Sequence, residues 1–199
     1  MVLLNNEEKT FSWDECKAIT NYLLEHMANP DEENIAKMVS EPGICAMSYE
    51  GNELGFGLWS PQVKKIVYVG ATRPSADRHF TDGQTGYSTL RRSLGALLQS
   101  KYDLKPIPRS QDESDNDRFS NFAFDEEGEA KLTKWMKDNL KIAFWATPPE
   151  QAETLKFALI EYNVPIFNLQ KNPENKYGAE IKMWRRKCSN MAQENNYPD

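Results

Sequence analysis

The chain has 199 residues, with 24 Lys or Arg against 30 Asp or Glu, giving a net charge of −6. That length suits one domain with additions, and 39% hydrophobic residues, with Trp at positions 13, 59, 135, 145 and 184, suffice for a core. No apolar run is long enough to span a bilayer, and the first residues lack a signal-peptide pattern. The three cysteines include no CxxC, which argues against a disulfide framework or zinc knuckle and makes a reducing, cytoplasmic setting the simplest expectation.

The charge is unevenly spread. Residues 1–61 carry three Lys against eleven Asp or Glu, whereas residues 62–110 carry nine Lys or Arg against three Asp. A basic middle in an acidic chain is a candidate phosphate-facing surface. The alternative is that these cations only decorate exposed helix faces.

In chain order, Ser12-Trp13-Asp14-Glu15 reads as a capping box opening a helix to about Met27. A second short helix is predicted to about Val39, after which Pro42-Gly43 breaks the chain. Ile44 to Tyr49 reads as a strand, and a Gly-rich stretch to Pro61 as a strand or a loop. Lys64 to Gly70, rich in β-branched residues and tyrosine, reads as a strong strand. Pro74 suits the first turn of a short helix ending near Phe80. Ser88 caps a helix whose apolar stripe is Leu90, Leu94, Leu97 and Leu98. Residues 104–118 read as a loop and 121–125 as a short strand. A helix from Glu129 to about Leu140, a strand over Lys141–Trp145 and a helix from Pro148-Pro149 to about Tyr162 follow. The last helix runs from about Gly178 to Met191 and is basic, with Lys182, Arg185, Arg186 and Lys187. Strands interleaved with helices predict an α+β domain.

Four features in order carry a resemblance. They are Gly43-Ile44-Cys45; Tyr68-Val69-Gly70; Arg78, eight residues after that glycine; and Leu155 to Ile160 followed by Pro165-Ile166-Phe167-Asn168. Together they resemble the GIY-YIG nuclease family over about residues 42–170. The stretch from Gly86 to Leu98 looks like a form of the helix that follows the arginine in some bacterial members. The resemblance implies a small three-stranded antiparallel sheet flanked by helices, with residues 1–41 as an N-terminal helical extension and 171–199 as a basic helix and tail. It also implies endonuclease chemistry on nucleic acid, more naturally DNA, using Mg²⁺ or Mn²⁺, with no membrane partner.

Carried over residue by residue, the family's second tyrosine falls on Tyr68 and its phosphate-contacting arginine on Arg78. The first tyrosine falls on Cys45, and the metal-binding glutamate on Lys156. A protonated lysine cannot ligate a metal and repels one. Glu153, one helical turn earlier, is the expected substitute ligand if the chain is active. His79 is a candidate acid, base or phosphate donor. Arg73, Arg91, Arg92 and Asn168 are candidate backbone-binding residues, each set against a structural role as a solvated or loop-locking side chain. Two readings of the function follow: an endonuclease, with Lys156 as an inactivating replacement, or a catalytically degenerate nucleic-acid-binding or protein-interaction module.

Overall fold

The computed structural model describes residues 10–49, 51, 66–72 and 77–195. Helix α1 spans Trp13–Glu25 and α2 spans Glu32–Ser40. Ser12 and Glu15 complete the capping box in both directions, and Asp31 caps α2. Strands β1 (Gly43–Tyr49) and β2 (Ile66–Thr72) follow, then a single 3-10 turn over Thr85–Tyr87 and helix α3 (Thr89–Tyr102). Two-residue strands β3 (Pro106–Ile107) and β4 (Ala123–Phe124) pair with each other. Helix α4 is Glu126–Asn139, β5 is Leu140–Ala146, α5 is Pro149–Asn163 and α6 is Gly178–Glu194.

The main sheet is antiparallel with order β2-β1-β5. Alternation along β1 splits the core. Cys45, Met47 and Tyr49 face α3, α4 and α6, while Ile44 and Ala46 face α1 and α5. All seven residues of β1 are buried, as expected of a central strand covered by helices on both faces. The fold is therefore the α+β arrangement the sequence predicts.

Both outer edges of the sheet are partly covered without a further strand, which pairs some of their backbone groups. At β5, the Ala28 backbone exchanges hydrogen bonds with Ile142 at 2.9 and 2.8 Å. At β2, the Phe167 N–H donates to the Val67 carbonyl (3.0 Å), and the Asn168 amide grips Val69 on both sides. A register shift after Met47 leaves Val67 without a cross-strand partner on β1. This is the signature of a β-bulge, and it turns both Val67 and Tyr68 toward the α3 side.

Two expectations change. Residues 77–80 form no helix; the Asp77 carboxylate instead accepts from the His79 and Phe80 N–H groups (both 2.8 Å), holding a turn. The predicted 104–118 loop begins with β3, which exists because β4 pairs with it. The strand-or-loop stretch ending at Pro61 and the residue Pro74 lie outside the described residues, apart from Gly51.

Candidate functional site

Where β2 meets the 165–170 loop, a cleft of about 340 Å³ opens. Its floor is the edge of β2 from Tyr68 to Ala71. One wall is α5, with Glu153, Lys156 and Phe157, and the opposite wall comes from Thr89 and Arg92 of α3 and Arg185 of α6. Arg78 and Asn121 complete the rim. Residues 88 positions apart, Tyr68 and Lys156, thus share one cavity because β2 and α5 pack side by side.

Tyr68 is 8% exposed, and its hydroxyl hydrogen-bonds the Thr89 side chain. Burial pushes its pKa up to about 12, against the lowering influence of Arg78 and Arg92. At neutral pH it is a phenol, suited to donate to a phosphate or water oxygen. Gly70 makes room for it: a Cβ there would lie 3.0 Å from the Tyr68 ring and 3.1 Å from Cys45 Sγ. Cys45 itself is 1% exposed, and burial raises its thiol to about 12. It is a neutral, packed side chain with no thiolate to offer.

His79 stacks edge-on against Tyr68 (centroids 5.4 Å apart), and its Nδ1 lies 2.9 Å from Ser88 Oγ. Burial, assisted by Arg78 and Arg91 and opposed by Asp77, lowers its pKa to about 4. The neutral ring supports Tyr68 from behind and lies outside the cleft lining. Arg78 lies in the cleft lining and is exposed. Among the described residues no carboxylate lies within ion-pair distance of it, and Asp77 is engaged with backbone instead.

The adjacent arginines of α3 part company. Arg91 is fully buried and spends its donors on Thr85 Oγ1, the His79 carbonyl, Thr133 Oγ1 and Glu129, with a 2.7 Å ion pair to the last. It is a structural arginine, closed off from any phosphate. Arg92 lines the cleft, gives one Nη1 to the Thr85 and Gly86 carbonyls (3.1 and 2.6 Å), and leaves its buried Nε without a partner. Burial and the neighbouring Arg185 and Arg109 lower its pKa to about 10. Arg73 lies outside the described residues.

Asn168 is spent on the fold. Its Oδ1 accepts from Val69 N–H (2.9 Å) and its Nδ2 donates to the Val69 carbonyl (2.8 Å). Asn172 and Asn175 fasten the carbonyls of Pro165, Ile166 and Asn168 behind it. The loop-locking role weighed from sequence is the one the geometry displays, and it shapes the cleft wall.

Lys156 is ion-paired with Glu153 on α5, and its Nζ lies 4.3 Å from the Phe157 ring centroid. Among the described residues Glu153 is the one carboxylate lining the cleft, against four cations: Arg78, Arg92, Lys156 and Arg185. This set does not suit a divalent cation. Among the described residues there is no group of three His, Cys, Asp or Glu able to hold a metal. A lysine ammonium about 4 Å from a doubly charged ion is repelled by about 8 kcal/mol at an effective dielectric of 20. What the cleft offers chemically is a phenol and several cations converging on a space the size of a phosphodiester. Thr89, Asn121 and Arg185 are lining residues that motif reading passes over, or mentions only as surface charge. Their signal is spatial, since no sequence period links α6 to α3.

A three-stranded antiparallel sheet with a tyrosine and an arginine beside its edge strand, and a late helix closing over it, defines the GIY-YIG class of domain. Residues 48–187 match the family described as the GIY-YIG catalytic domain, well over half the chain, and the protein belongs to that family. The match begins inside β1, past Gly43-Ile44-Cys45, and runs into α6. No curated protein and no solved structure matches the chain significantly.

Proposed function

We propose that this protein is a GIY-YIG-fold nucleic-acid-binding protein whose cleft holds the phosphodiester backbone, more naturally that of DNA, without metal-assisted hydrolysis. One observation carries the reading. The family's metal-ligand position holds Lys156, and that lysine pairs with the single carboxylate found among the described residues of an otherwise cationic cleft. Hydrolysis of this kind relies on a cation at that point to offset developing charge. Here a fixed ammonium stands in its place, and Arg78 and Arg92 add phosphate-matching guanidinium groups.

The second reading, an endonuclease, draws on Tyr68 and Arg78 sharing the cleft with position 156. Plasmid DNA incubated with Mg²⁺ or Mn²⁺, with the wild type run beside Lys156→Glu, separates the two. We expect no cleavage by the wild type, binding that weakens steeply with salt, and cleavage by the glutamate variant. Cleavage by the wild type overturns the proposal and makes Glu153 the residue to remove next. Absence of binding at low salt also overturns it, and favours a protein-interaction role.

A further inference from the structure

α6 lies outside the elements that name the family, and its charge has no assigned purpose. Arg185 on α6 lines the main cleft and also a second groove of about 300 Å³ with Lys182, Arg186, Ser120 and Ser189. Ser120 and Asn121 divide in the same way: Ser120 lines the second groove and Asn121 the first. The two cavities therefore meet at Arg185.

The junction is electrostatically incomplete. Arg92 is 6% exposed and its Nε has no hydrogen-bond partner. Among the described residues neither Arg92 nor Arg185 has a carboxylate within ion-pair distance. Burial lowers the pKa of both, and Arg185 lowers that of Arg92 further. A buried guanidinium and a half-buried one that repel each other are costly unless an anion sits between them. Asp117, whose carboxylate accepts from Ser120 Oγ (3.2 Å), eases Arg92 only weakly.

We infer that Arg92 and Arg185 form a second phosphate subsite, and that a nucleic-acid strand leaves the main cleft there and runs along the Lys182–Arg186 groove of α6. The inference rests on the nucleic-acid reading above and adds the path of the strand. Phosphate oxygens supply the acceptor that Arg92 Nε lacks, and the exposed Lys182 and Arg186 follow the next phosphates outward.

The test measures fluorescence anisotropy of a fluorescein-labelled DNA duplex across a salt series, for the wild type, Arg185→Gln, the double variant Lys182→Gln/Arg186→Gln, and Arg78→Gln. Lys182 and Arg186 are exposed, so the double variant leaves the core intact. Each lost phosphate contact flattens the log–log salt slope by about 0.9, so Arg185→Gln should narrow the affinity drop between about 50 and 200 mM salt by about 3-fold, and the double variant by about 10-fold. Wild-type slopes in both α6 variants, with a flattened slope in Arg78→Gln, overturn the α6 path and leave the main cleft's role standing. A wild type that does not bind DNA overturns both.

Discussion

Arg91 and Arg92 are neighbours in sequence, and the structure assigns them opposite consequences on removal. Replacing Arg91 with Met leaves the Glu129 carboxylate, whose side chain is 4% exposed, without its 2.7 Å partner. Breaking a buried pair from one side costs about 3–5 kcal/mol. The Thr85 and Thr133 hydroxyls and the His79 carbonyl lose a donor as well. Against a total stability of about 5–15 kcal/mol, Arg91→Met should leave a marginal fold. Arg92 differs because its own charge is disfavoured: lowering its pKa from 12.5 to about 10 corresponds to about 3 kcal/mol against the protonated form. Arg92→Met relieves that cost but orphans the Gly86 carbonyl, at about 1–3 kcal/mol, while the Thr85 carbonyl keeps the Ser88 N–H (3.2 Å). The two effects nearly cancel, and we expect a change of less than about 2 kcal/mol together with weakened DNA binding. Urea unfolding followed by tryptophan fluorescence, paired with anisotropy binding, reads both quantities. Equal stability losses in the two variants, or unaltered DNA binding by a folded Arg92→Met, would refute the reasoning.

The pKa of His79 falls from 6.5 unfolded to about 4 folded, so above pH 6.5 its neutral ring costs nothing. As pH drops toward 4 the unfolded chain takes up a proton that the folded chain refuses, and stability falls by up to about 1.4 kcal/mol per pH unit, about 3 kcal/mol over the window. His79→Asn should flatten that slope in urea unfolding measured between those pH values; an unchanged slope would place the acid sensitivity elsewhere. Asn168→Ala removes both bonds to Val69 and should cost about 2–3 kcal/mol in the same assay. Asn168→Asp should not recover it, because a carboxylate still accepts from the Val69 N–H but cannot donate to its carbonyl; full recovery would show that the clamp is not the source of the loss.

Capping boxes, β-branched runs and Pro-Gly breaks made most elements legible, because those signals are local. Ser12 and Ser88 each cap the helix they announce. The motif residues were legible as a set: Tyr68, Arg78, Glu153, Lys156 and Asn168 all line one cleft. What each does there was harder to read. Arg91 sits about 20° from Leu98 on the α3 wheel, on the edge of the leucine stripe. A cation on such a stripe demands a buried carboxylate, but nothing in the sequence marks Glu129 as that partner. Arg92 points away from the stripe and would pass for a solvated residue, yet α6 covers that side of α3 and makes it a cleft wall. Asn168 looks like a ligand because an exposed loop asparagine and an edge-strand clamp have the same sequence.

The placement of charge answers how a protein with a net charge of −6 can carry the proposed phosphate site. The acidic start of α2 (Asp31, Glu32 and Glu33) follows the segment that closes β5 through Ala28, and the four-cation cleft lies along β2 at the other edge of the sheet. Three strands separate those edges by about 10 Å, roughly one Debye length at physiological salt. The acidic helix therefore leaves the cleft potential largely intact at working salt and opposes it at low salt, where screening is weak. On this arrangement, Lys156 is of one sign with its surroundings. Among the described residues this cleft has one carboxylate, ion-paired with Lys156, and a surplus of cations, which is the balance the proposed phosphodiester backbone would satisfy.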